Sequence, residues 1–145
     1  MTREQKDLLL KDICARLPYG VKVRYSSYEK FITCTLQAID YVYNNVDLWS
    51  KEACFNPVNI SKIKPYLFPL SSMTEEQWNN APRVNLTNFT FESLKCGCFT
   101  LASYTCENDL NDLVEFINWL IKNHFDIYGL IPMGLAIDAT GLNIY

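Results

Sequence analysis

The apolar positions change period along the chain, and each period predicts a different element. Leu10, Ile13, Cys14 and Leu17 recur at helical spacing behind Thr2 and Gln5, a pair with the spacing of a capping box, until Pro18 and Gly20 end the run. Val21, Val23 and Tyr25 then alternate with Lys22 and Arg24, the two-residue period of a strand with one wet face, and residues 26–30 read as its turn. Residues 31–38 and 39–43 are rich in β-branched and aromatic side chains and stop at Asn44 and Asn45, so they read as further antiparallel strands of a compact meander. Pro57 and Pro65 cannot donate to a ladder, which makes residues 50–65 an edge strand followed by an extended loop.

Thr74 and Gln77 form a second capping box with Glu75 and Glu76 in the first turn, so a short helix starts there and ends before Pro82. Residues 84–104 alternate loosely and read as strand, with a bend at Gly97 between Cys96 and Cys98. The strongest periodicity is Leu110, Leu113, Val114, Ile117, Leu120 and Ile121 behind an Asn108 cap, a core-facing helix whose off-stripe Phe116 and Trp119 make it apolar on two sides. The tail from Gly129 reads as turns around one short strand. Without repeats or linkers, these elements predict a single α+β domain over residues 1–145: a small antiparallel sheet, with an SH3-like barrel as one topology, packed with two to three helices.

Composition narrows the function classes. The 145 residues carry a net charge of -3, and the surplus of acid argues against a general phosphate-backbone binder, so nucleic acid is a poor default partner. The charge is uneven, with seven basic and four acidic side chains in residues 1–30 against three and nine in residues 73–145. Charge mixed through the apolar residues of the first segment leaves no signal-peptide core, and no run is long enough to span a bilayer, which predicts a cytoplasmic protein with its six cysteines as free thiols.

Candidate chemistry is sparse. His124 is the only histidine, which excludes a site with two or three histidine ligands, and at the end of the long helix it suits a capping position. The catalytic alternative joins His124 and Asp126 to a cysteine nucleophile, although none of the thiols sits in a catalytic-cysteine pattern. Cys96-Gly97-Cys98 is too tightly spaced for zinc, and no phosphate loop, dinucleotide fingerprint or calcium loop occurs, so neither a metal nor a cofactor is expected. Glu75 and Glu76 diverge by about 100° on their helix and make no acid–base pair.

Residues 64–76, Lys-Pro-Tyr-Leu-Phe-Pro-Leu-Ser-Ser-Met-Thr-Glu-Glu, resemble a block of an uncharacterised family of small proteins from Bacteroidetes bacteria and their phages. Residues 8–22, 119–131 and 134–139 resemble its other blocks, and the chain departs from that pattern at Phe68 and at Ile127-Tyr128, where the family carries a basic residue and an aromatic-basic pair. The resemblance implies a bacterial or prophage accessory protein and carries no catalytic residues. The reading that follows is a non-enzymatic module that contacts a host or phage protein, or another copy of itself, through Tyr66, Phe68 and Trp78 around the Pro-restrained segment. Two alternatives remain open: a cysteine-dependent enzyme using His124, and a nucleic-acid accessory factor using Lys22, Arg24 and Lys30 with Tyr25 and Tyr28 interleaved.

Overall fold

The computed structural model describes residues 1–27, 30–84, 89–96 and 107–145, the backbone alone for residues 107–109. The chain is α+β and divides into two compact units, one built from residues 1–67 and 128–145, the other from residues 68–127.

The first unit opens with α1 (Arg3–Arg16), whose Thr2–Gln5 capping box is formed as the sequence predicts. Leu17–Tyr19 make one 3-10 turn, and Gly20 at φ 66° supplies the left-handed residue that turns the chain into the sheet. Strands β1 (Lys22–Ser27), β2 (Lys30–Asp40), β3 (Asn45–Trp49) and β4 (Cys54–Asn59) form an antiparallel meander, and β5 (Ile63–Leu67) returns beside β1. The two-residue β6 (Ile137–Asp138) adds a parallel edge, giving the order β4-β3-β2-β1-β5-β6. This sheet is open, with β4 and β6 at its edges, rather than an SH3-like barrel. It is nevertheless strongly coiled: the rings of Tyr25 on β1 and Phe55 on β4 lie 5.1 Å apart although two strands separate them.

Two boundaries differ from the sequence reading. Residues 31–43 are not two strands, because β2 runs on through a bulge at Leu36/Ala38 to Asp40 and turns only at residues 41–44. Residues 63–67 are a strand instead of a loop, with Pro65 opposite Val23 on β1. The inner face packs Val21, Val23, Cys34, Leu36, Val46, Leu48, Val58 and Ile63 against Leu9, Leu10 and Ile13 of α1.

The helix also buries an ion pair in that core. Arg16 is 0% exposed, and its Nε and Nη2 each donate at 2.8 Å to the two carboxylate oxygens of Asp12, itself 1% exposed. A bidentate fork satisfies both charges at once, which is the geometry a desolvated pair requires.

The second unit holds α2 (Glu75–Asn80), α3 (Phe91–Lys95) and α4 (Glu107–Lys122). Both Thr74–Gln77 and Thr90–Ser93 form capping boxes, so α3 is a helix where strand is predicted; residues 85–88 and 97–104 of that stretch, Gly97 and Cys98 among them, lie outside the described residues, as does Tyr28. Its core is aromatic: Phe116 meets Trp78, Phe89 and Trp119 at ring distances of 5.9, 5.2 and 6.2 Å, and Trp119 stacks on Phe125. The core side of α4 is Leu113, Phe116, Leu120 and Ile121, whereas Leu110, Val114 and Ile117 are exposed. Among the described residues no helix is long and apolar enough to cross a membrane.

Candidate functional site

His124 closes α4. Its N–H donates to Ile121 O at 3.1 Å and the N–H of Phe125 donates to Leu120 O at 2.9 Å, the paired bonds of a Schellman motif, with His124 at φ 61° in the left-handed position usually given to glycine. The backbone carbonyl of His124 in turn accepts from Phe68 N–H at 2.9 Å, and Phe68 O accepts from Asp126 N–H at 2.8 Å, which draws the two ends of this unit together. The side chains of His124 and Asp126 are both buried.

The thiols are free at Cys14, Cys34 and Cys54. Burial pushes the Cys14 and Cys34 thiols up from their ordinary value, away from the thiolate a nucleophile needs. The Cys96 Sγ donates at 2.7 Å to Glu92 O at the end of α3. Among the described residues no group of three histidine, cysteine or acidic side chains is placed to hold a metal ion.

Of Tyr66, Phe68 and Trp78, only Tyr66 is fully buried. Tyr66 is buried on β5 with its hydroxyl 3.4 Å from Thr33 Oγ1, while Phe68 and Trp78 are half-buried in the aromatic core of the second unit. The displayed aromatic surface is elsewhere, at the β2–β3 turn: Tyr41, Val42 and Tyr43 are 71%, 77% and 72% exposed. This turn is rigidly set. Asp40 Oδ1 accepts from the N–H groups of Val42 and Tyr43 at 3.0 and 3.2 Å, Asn44 adopts φ 54°, and Asn44 O accepts from Ile60 N–H at 3.0 Å. The sequence signal was present in Tyr-Val-Tyr beside Asn-Asn, but its period-two pattern reads equally well as strand.

A second surface is the outer face of the sheet. Register places Trp49, Thr35 and Lys22 in one row across β3, β2 and β1, and Thr33, Arg24 and Lys64 in the next across β2, β1 and β5. Phe31, 70% exposed, follows on β2, and the Arg24 guanidinium lies 4.5 Å from its ring centre. Lys22 Nζ donates to Thr35 Oγ1 at 2.7 Å. A groove of about 730 Å³ runs over this face, lined by Lys22, Lys30, Phe31, Trp49 and Lys51, with Glu52 as its one acid among the described residues and Asn143 and Ile144 along one side. Of the residues named from sequence for nucleic acid, Lys22, Arg24 and Lys30 are therefore together here, but Tyr25 points into the core against Phe55. Phe31 and Trp49 take the place of that ring.

Tyr145 braces the same face. Its hydroxyl donates to Tyr66 O at 2.6 Å and accepts from Lys22 N–H at 3.3 Å, so one side-chain oxygen spans β1 and β5 beyond their last ladder pair. Burial of the hydroxyl raises its pKa above the usual tyrosine value, outweighing the lowering effects of the Lys22 N–H and of Arg16.

No known protein family, curated protein or solved structure matches the chain.

Proposed function

We propose that this chain is a binding module, an accessory protein of bacterial or prophage origin that docks a host or phage protein through the β2–β3 turn. The observation that carries the reading is the run Tyr41-Val42-Tyr43, three adjacent large side chains each more than two-thirds exposed on a turn already fixed by Asp40 and Asn44. Large apolar groups held in water by a rigid backbone lose little conformational freedom on binding, and tyrosine is among the residues that dominate interface energetics. The exposed Leu110, Val114 and Ile117 of α4 offer a second apolar strip of the same kind.

The test uses the full chain as bait against host and phage lysates, with light scattering to report self-association. A partner, or a homo-oligomer, that is lost when Tyr41, Val42 and Tyr43 are all replaced by serine supports the reading. A strict monomer that retrieves the same proteins with and without the three replacements overturns it.

A further inference from the structure

We infer that the outer sheet face of the first unit binds single-stranded nucleic acid, a site separate from the turn that docks protein. The groove brings together the two components such a site requires, cations for phosphates and open rings for bases. Lys22, Lys30 and Lys51 line it from β1, β2 and the β3–β4 turn, against the one carboxylate, Glu52, that lines it among the described residues. Trp49 at 47% exposure and Phe31 at 70% present their rings on the same face, about 13 Å apart along β2 by strand rise, since Trp49 is registered with Thr35.

A second observation points to an anion independently of the groove. Arg24 and Lys64 stand directly opposite each other across β1 and β5, an arrangement that costs stability in an isolated sheet. Among the described residues no carboxylate forms an ion pair with either of them, or with Lys22, Lys30 or Lys51. A phosphate chain crossing this face neutralises the repulsion that the fold leaves in place.

The local charge also resolves the conflict with the net charge of -3. Residues 1–67 and 128–145 hold ten basic and eight acidic side chains, whereas residues 68–127 hold three and eight, so the acidic surplus belongs wholly to the other unit. An acidic peptide would satisfy the lysines but makes no use of the two exposed rings, and a duplex hides the base faces those rings would stack on.

Fluorescence anisotropy of the full chain with a labelled oligodeoxythymidine tests the proposal. The expected result is association that weakens as salt rises, with the slope of log affinity against log salt falling by about 2 when Lys22, Lys30 and Lys51 are all changed to alanine, at roughly 0.7 per phosphate contact. Trp49→Ala should weaken binding roughly 5- to 160-fold, the loss of one stacked base. Both rings are at the surface, so circular dichroism of the variants should match the parent, and the serine replacement of the β2–β3 turn should bind the oligonucleotide normally. Absence of salt-dependent association overturns the proposal. So does displacement of the oligonucleotide by an equal concentration of oligoglutamate, or Trp49→Ala and Phe31→Ala variants that both bind as the parent does.

Discussion

One residue pair and one single residue carry structural roles out of proportion to their size, and each can be tested separately. Asp12 and Arg16 are charges placed where a helix ordinarily buries leucine. Removing one partner strands the other in the core, so Asp12→Ala should cost about 3–5 kcal/mol in urea denaturation, whereas replacing both with Leu and Met should restore most of that. If the double replacement is as unstable as the single one, the pair has a role beyond mutual neutralisation. Tyr145 acts by a different route, because its hydroxyl joins Lys22 N–H to Tyr66 O. Tyr145→Phe should lose about 1–3 kcal/mol through the two backbone groups left without it. The folded-state pKa of this tyrosine is raised, so its contribution is complete below the unfolded value near 10 and declines as pH rises from there toward the folded value. Stability measured from pH 8 to 11 should therefore fall at the alkaline end in the parent, and less steeply in Tyr145→Phe.

The elements show where periodicity was a sound guide and where packing overrode it. On α4 the sequence favours the stripe Leu110, Leu113, Val114, Ile117, Leu120 and Ile121, but the unit buries Phe116 and leaves Leu110, Val114 and Ile117 in water. A helix apolar on most of its circumference has no unique face until its neighbours are known, and here the neighbours are Trp78 and Phe89, whose rings fit against another ring. Phe116→Ala should accordingly destabilise by about 3–5 kcal/mol in thermal or denaturant unfolding, while Val114→Ala should stay within about 1 kcal/mol. Equal effects would mean that the sequence stripe had been the true core face. Local chemistry was more legible: the capping boxes at Thr2 and Thr74, the turn at Gly20 and the first strand all follow from nearest neighbours. What escaped was long-range. Nothing local places Trp49 beside Thr35 and Lys22, and Asp12 and Arg16 at i, i+4 look like an ordinary surface pair until α1 is packed on the sheet.

At the scale of the whole chain, the first unit is discontinuous: it is left after Leu67 and resumed at Tyr128. Its meander needs only short hairpin closures, such as Ser27 with Lys30 and Asp40 with Asn45, but β5 and β6 must pair Tyr66 with Ile137 across the entire second unit. Loop-closure entropy rises with the length enclosed, and contacts of high sequence separation are rewarded only after that entropy is lost. The parallel pair is also only two residues long, so it offers little to stabilise an early encounter. Pulse-labelling hydrogen exchange during refolding should show the amides of β2 and β3 protected before Ala139 N–H, which donates to Leu67 O at 2.8 Å. Protection of Ala139 together with β2 would mean that the second unit brings Leu67 and Tyr128 close before the meander forms. The order bears on the groove of the outer sheet face, because Lys22, Thr35 and Trp49 are assembled by the meander alone, while Asn143 and Ile144, which line one side of it, arrive with the returning segment.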